Sequence, residues 1–306
     1  MPTNRTREQL WHTTASGLVV PAGTSPSLNV SSTQTYLQIK EKAEAIEQLY
    51  RDNSVPLLPE SALANLARDA KALSDAWLMN NTEVATEQLM FRVSFLSRIA
   101  EAILPLSDVP DRRKYLRLLT SGTLDLQKRE RSMAKDILWE LELWSTLRRR
   151  SINATLHEPP DIVVNFEDAK IGIACKKLYS ENNVEKVLSE GVGQIEASYD
   201  FGILAVNLDD LTLPDQILQA PTQQVMGSFI TNINLQFLEK HKRHFKKYLT
   251  TGRVISALVS TSVLAAISKE KPRFNIASQA TIWSIPGLLP EKEKQLGRLY
   301  AQVMTG

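Results

Sequence analysis

Residues 157–166 read HEPPDIVVNF and residues 169–179 read AKIGIACKKLY, and these two runs decide the fold class. Each carries a short series of Val, Ile and Phe or Cys bounded by Pro, Asp, Asn or Lys, as β-strands do. Only Glu167 and Asp168 separate them, so the pair predicts a hairpin. Side chains alternate between the faces of a strand, which points residues 174 and 176 to one side and Cys175 to the other. Upstream, QKRERSMAKDILWELELWSTLRRR (127–150) places Met133, Ile137, Leu141, Trp144 and Leu147 on one stripe and predicts a helix over Leu124–Arg150. Downstream, Val184, Val187, Leu188, Val192 and Ile195 form a helical face, and FGILAVNLDDL (201–211) reads as the next strand.

Farther out, Pro221–Tyr248 predicts a helix, while RVISALVSTSVLAAI (253–267) and NIASQATIWSIP (275–286) predict apolar strands that extend the same sheet. Toward the N-terminus, Thr35–Arg51, Glu60–Met79 and Thr82–Leu104 repeat apolar residues at three and four, with Pro56, Pro59, Pro105 and Pro110 between them. Residues 1–33 are rich in Thr, Ser, Pro and Asn and predict an irregular arm. The expected organisation is an arm (1–33), a helical domain (34–123) and an α/β domain (124–306), a mixed sheet flanked by helices and preceded by a mainly helical region.

The length of 306 residues suits two domains. With 43% hydrophobic and 23% charged residues, the chain is not of the disordered, collagenous or disulfide-scaffold class. Thirty-six Lys and Arg against 34 Asp and Glu leave +2, so any polyanion would have to be met by a local patch. Cys175 is the only cysteine, which rules out an internal disulfide or a multi-thiolate zinc site and suits the cytoplasm. The N-terminus lacks the pattern of a secretory signal, and Val254–Ile267 is interrupted by Ser256, Ser260, Thr261 and Ser262, so no membrane association is expected.

Pro160 and Asp161 at the start of one strand, followed across a hairpin by Lys176 on the next, resemble the core of the PD-(D/E)xK nuclease superfamily. There a proline and an aspartate precede an acidic residue, any residue and a lysine. Ala174 stands where the acid belongs. The resemblance covers roughly residues 125–212 and extends to Glu140 and Glu142 on the preceding helix and Gln194 on the following one. It implies a restriction-endonuclease-like fold and a metal site using Asp161 with Glu140, Glu142 or Glu158. It further implies Mg²⁺ or Mn²⁺ as cofactor, Lys176 as catalytic base or charge stabiliser, and Gln194 in support. Hard Mg²⁺ takes oxygen ligands, and the metal polarises the phosphate while making its bound water more acidic. Glu140 and Glu142 are two residues apart and diverge by about 200° on a helix, so at most one faces the site. Three accounts fit Ala174: an acid replaced by engineering, an acid relocated to Glu158, Glu140 or Glu142, or a dead site on a fold kept for binding.

Plain readings compete at each position. Asp161 after two prolines suits a turn, Lys176 and Lys177 suit a strand end, Gln194 suits a helix surface, and Cys175 suits a small core position. His241 and His244 share a helical face but stand among cations, and neither a Gly-x-Ser-x-Gly elbow nor a phosphate-cradling loop occurs. Arg148, Arg149 and Arg150 fit the negative end of a helix dipole. Lys240, Lys242, Arg243, Lys246 and Lys247 are dense enough to meet phosphates, or form a solvated helix face. The leading expectation is a metal-dependent nuclease acting on DNA, in restriction, repair or defence, with RNA as the alternative substrate. A protein partner or second copy would be met through the N-terminal helices. The competing expectations are a catalytically dead nuclease fold that binds nucleic acid or a partner, and a helical interaction protein in which the Asp161–Lys176 match is accidental.

Overall fold

The computed structural model describes residues 11–13, 19–21, 36–79, 87–196, 198–212, 217–269 and 274–305. The expected helices appear as α1 (Tyr36–Asp52), α2 (Ala62–Leu78) and α3 (Glu87–Ile103), followed by α4 (Arg112–Leu119) and α5 (Met133–Arg149). In α2, Ser61 Oγ accepts from Ala64 N at 3.2 Å to start the helix, and Leu63, Leu66, Ala67, Ala70 and Leu73 bury the stripe at three and four. Of the expected α5 stripe, Leu141, Trp144 and Leu147 are buried and Ile137 packs against the same core, while Met133 is 54% exposed; Ala134 and Leu138 are buried beside them.

β3 (Ala154–Leu156), β4 (Ile162–Asn165) and β5 (Lys170–Lys177) pair antiparallel in succession. After α6 (Val184–Glu196), β6 (Phe201–Asn207) pairs parallel to β5. β7 (Ile217–Ala220) and α7 (Gln223–Thr250) then lead to β8 (Ser256–Ile267), β9 (Phe274–Trp283) and α8 (Pro290–Thr305). The result is a seven-stranded mixed sheet in the order β3-β4-β5-β6-β8-β7, with β9 antiparallel on β8. β8 is longer than its partners. β6 pairs with Ser256–Ser260 and β7 with Leu264–Ile267, leaving residues 261–263 without a strand on that edge. Asp209 Oδ1 fills part of the gap by accepting from Ser262 N at 2.8 Å.

Alternation along β5 sorts the two faces. Ile171, Ile173 and Cys175 join the core under α5, which also holds buried residues of α1–α4 and Leu296, Leu299 and Tyr300 of α8. Ala174 joins the opposite core with Leu188 and Val192 of α6 and Phe237 and Leu238 of α7. Two indoles of α5 tie it to the sheet: Trp144 Nε1 donates to Ala154 O (3.1 Å) and Trp139 Nε1 to Ala205 O (3.4 Å). The first core includes residues from Ile39 to Val303 and so draws on both the N-terminal helices and the sheet. Within the expected irregular arm, β1 (Trp11–Thr13) and β2 (Val19–Pro21) pair antiparallel, and the rest of residues 1–33 lies outside the described residues. No described helix is long and apolar enough to cross a membrane.

Candidate active site

Asp161 directly precedes β4, one residue beyond the Ile162–Ile173 pair, at the carboxyl end of β5. Its carboxylate is only 7% exposed with its residue, and Oδ2 accepts from the main-chain N of Cys175 at 2.6 Å. Burial pushes the Asp161 carboxyl above its usual range, against the pull of that amide and of Lys176. Glu140 approaches from α5, next to the sheet-bound Trp139. Burial lifts its carboxyl well above the ordinary range, and repulsion from Asp161 adds to this while Lys176 opposes it. Lys176 is half-buried, with its stem beneath α6: a Cβ added at Gly191 would stand 3.4 Å from Lys176 Cε. Thus a helix, a strand start and a strand end bring Glu140, Asp161 and Lys176 within mutual electrostatic reach.

The other expected site residues divide. Ala174 does not line a polar cleft: it is fully buried in the apolar core beside Val192 and Leu204. The strand alternation is as expected, but α6 closes over position 174 and leaves only the longer Lys176 able to reach the edge. Glu142 faces away from Asp161 and pairs with Arg98 of α3 through both oxygens, at 2.5 and 2.7 Å. Glu158 is largely exposed and pairs with Lys114, yet its charge still acts on Asp161 and Glu140. Gln194 is half-buried on α6, three residues after Gly191, and its buried Oε1 has no hydrogen-bond partner among the described residues. The Cys175 thiol lies in the α5-side core, where burial raises it well above its usual range.

The basic run on α7 is largely neutralised by neighbours. Lys240 pairs with Glu181, Lys242 with Glu239 at 3.5 Å and Lys247 with Glu185 at 3.9 Å, while Arg243 and Lys246 are exposed. Burial lowers His241, against the contact with Glu181. At the end of α5, Arg148 and Arg149 meet Asp108 and Glu101, and Arg150 donates to Val303 O.

A buried ionic network beside the site has no counterpart in the sequence reading. Arg98 bridges Glu142 and Asp209, donating to Asp209 Oδ2 at 2.6 Å. Burial pulls the Arg98 guanidinium down, but Asp209 and Glu142 outweigh it and hold the group above its usual range. Lys177 reaches Asp210 at 2.8 Å and Asn207 Oδ1 at 2.6 Å, and Lys135 reaches Asp210 at 3.4 Å. Burial lowers Lys135, which also donates to the carbonyls of Lys128 and Glu130. Tyr179 donates to Asp136 Oδ1 at 2.9 Å, and burial raises both the phenol and the carboxyl. The signal available in sequence was the Asp209–Asp210 pair closing an apolar strand.

The chemistry open to this arrangement follows from unbalanced charge. Two carboxylates share a poorly solvated strand end with one lysine, so both are driven toward protonation until further positive charge arrives. Among the described residues no group of three or more His, Cys, Asp or Glu could hold an ion. Mg²⁺ needs fewer, because one or two carboxylates suffice when waters and phosphate oxygens complete the octahedron. Glu140 and Asp161 Oδ1 supply that number of carboxylates, Asp161 Oδ2 being committed to Cys175 N. In comparisons with protein families, curated proteins and solved structures, nothing matches the chain.

Proposed function

We propose that this chain is a metal-dependent nuclease of the PD-(D/E)xK type acting on DNA, with the acid of the strand motif relocated to Glu140. The observation that carries the reading is the buried Asp161 at the start of β4, held through Oδ2 by the Cys175 amide at 2.6 Å and close enough to Glu140 and Lys176 for their charges to act on one another. The mixed sheet with helices on both faces is compatible with a restriction-endonuclease-like fold. Ala174 offers no room for a solvated acid, which favours relocation over an engineered loss. Glu140 and Asp161 would hold Mg²⁺ or Mn²⁺, which supplies polarisation of the phosphodiester and a more acidic water. The Cys175 amide fixes the Asp161 carboxylate through Oδ2 and leaves Oδ1 for the cation. Lys176 Nζ donates to a phosphate oxygen and offsets the charge that develops on it. The test is cleavage of linear duplex, single-stranded DNA and RNA with Mg²⁺ or Mn²⁺, comparing the chain with Glu140→Gln, Asp161→Asn and Lys176→Ala. Cleavage that all three variants lose supports the reading, and cleavage indifferent to Asp161→Asn overturns it.

A second reading, a nuclease-like fold that binds nucleic acid without cutting, is favoured by the apolar packing of Ala174. Salt-dependent DNA binding without cleavage under any of these conditions supports it.

A further inference from the structure

The edge of β8 left open between β6 and β7 borders a cavity of about 440 Å³, a size typical of small-molecule sites. It stands at the carboxyl ends of the parallel strands β5 and β6, where open α/β sheets receive ligands. Lys177, the last residue of β5, and Leu208–Thr212, which follow β6, form one side. Ile233, Gln236, Phe237 and Lys240 of α7 recur at three and four and form another. Phe95 of α3 and Gln127 of the segment before α5 close it.

The lining carries three cations, Arg129, Lys177 and Lys240, and three carboxylates, Glu181, Asp209 and Asp210. Each carboxylate is already matched: Asp209 by Arg98, Asp210 by Lys177 and Lys135, and Glu181 by Lys240. Arg129 donates to Asp209 O and to Thr212 Oγ1. A charged ligand would therefore lose hydration without meeting net opposite charge, which is costly. What the walls offer instead is the half-buried ring of Phe95 and aliphatic surface, with two amide side chains, Gln127 and Gln236, that make no side-chain hydrogen bond to another described residue. A glutamine amide reads the paired donor and acceptor on the edge of a heteroaromatic ring, and an aromatic wall stacks on its face.

We infer that this cavity is a binding site for an uncharged heteroaromatic ligand of nucleoside class. It is distinct from the Glu140–Asp161–Lys176 site and goes beyond the nuclease reading. The test is isothermal titration of the full chain, in EDTA so that cleavage plays no part, with adenosine, guanosine, cytidine and uridine up to about 5 mM. One of them binds at one per chain. Gln236→Leu, at an exposed position of α7, weakens it roughly tenfold. Leu264→Trp, which fills the cavity, weakens it at least as much. Absence of binding by all four, or binding that survives Gln236→Leu unchanged, overturns the proposal. A nucleoside monophosphate binding more than about tenfold tighter than its nucleoside also overturns it, because the site would then be reading phosphate charge.

Discussion

Replacing Asp209 by alanine tests how the helical N-terminal half is fastened to the sheet. Its carboxylate accepts from Arg98 Nη2 at 2.6 Å and from Ser262 N at 2.8 Å, so one side chain joins α3, the end of β6 and the unpaired edge of β8. Burial works against the charge, but Arg98, Lys177 and the Ser262 amide overcome it and hold the carboxyl below its usual range. Removing one partner of a buried pair costs about 3–5 kcal/mol, and the low end applies because Arg98 keeps Glu142. The orphaned Ser262 amide adds about 1–3 kcal/mol. The expected loss of about 4–6 kcal/mol is a large part of the roughly 5–15 kcal/mol of a whole fold. At an m-value of about 3 kcal/mol/M it moves the urea midpoint down by more than about 1 M. Asp209→Asn keeps an acceptor for Ser262 and is milder by about 1–3 kcal/mol. Tryptophan fluorescence and far-UV circular dichroism should report coincident transitions, and a cycle with Arg98→Met should show coupling above about 0.5 kcal/mol. An Asp209→Ala loss below about 1 kcal/mol, or additivity with Arg98→Met, would refute the fastening argument.

Three further outcomes are expected. Glu140→Gln should stabilise the fold at neutral pH while abolishing cleavage. The folded state raises this carboxyl above its ordinary 4.5 and so binds more protons than the unfolded state, which makes the native stability fall as pH rises from that value. Melting temperatures of the two proteins should therefore agree near pH 4 and diverge with rising pH in favour of Gln, and parallel profiles would contradict the burial of Glu140. Ala174→Glu should lower stability by more than about 3 kcal/mol, through overpacking beneath α6 and burial of an unpaired carboxyl, without increasing cleavage. A large gain in activity from that variant would return the acid to position 174. Alanine at Lys242, Arg243, Lys246 and Lys247 should flatten the salt dependence of DNA affinity by up to about 0.9 in slope for each phosphate that is no longer neutralised. Because Lys242 and Lys247 already face Glu239 and Glu185, the change should come mainly from Arg243 and Lys246, as the two separate pairs of substitutions would reveal.

The parts of the fold legible in sequence are those whose periodicity is local. The β4–β5 hairpin, the long β8 and β9, and the helices α1–α3 and α5–α7 follow from spacing alone. β7, four residues long, is too short to announce itself, and α4 carries Tyr115, Leu116 and Leu119 among charges that mask its period. α8 has the right spacing at Leu296, Leu299, Tyr300 and Val303, interrupted by Gly297. The prolines and glycines of the arm hide the β1–β2 pair. In the candidate site, Asp161 and Lys176 were readable because a hairpin brings near neighbours together. Glu140 and Glu142 were not separable, since both adjoin Leu141. Their roles are decided by Arg98, which takes Glu142 from a helix more than forty residues away in sequence. The Arg98–Asp209 and Lys135–Asp210 pairs span still longer separations, and each member alone has the composition of an ordinary surface charge.

The seat of α6 has a mechanical consequence. A Cβ at Gly191 would stand 2.7 Å from Leu204 and 3.4 Å from Lys176 Cε, and one at Gly202 would collide with Ile195, so this helix rides on the sheet with almost no spacer. The aliphatic stem of Lys176 is part of that bearing surface, and no carboxylate of a described residue lies within ion-pair distance of its amine. A methyl group at Gly191 would therefore press on Leu204 and on the stem of Lys176 together, so α6 could not be spaced from the sheet there without disturbing that lysine.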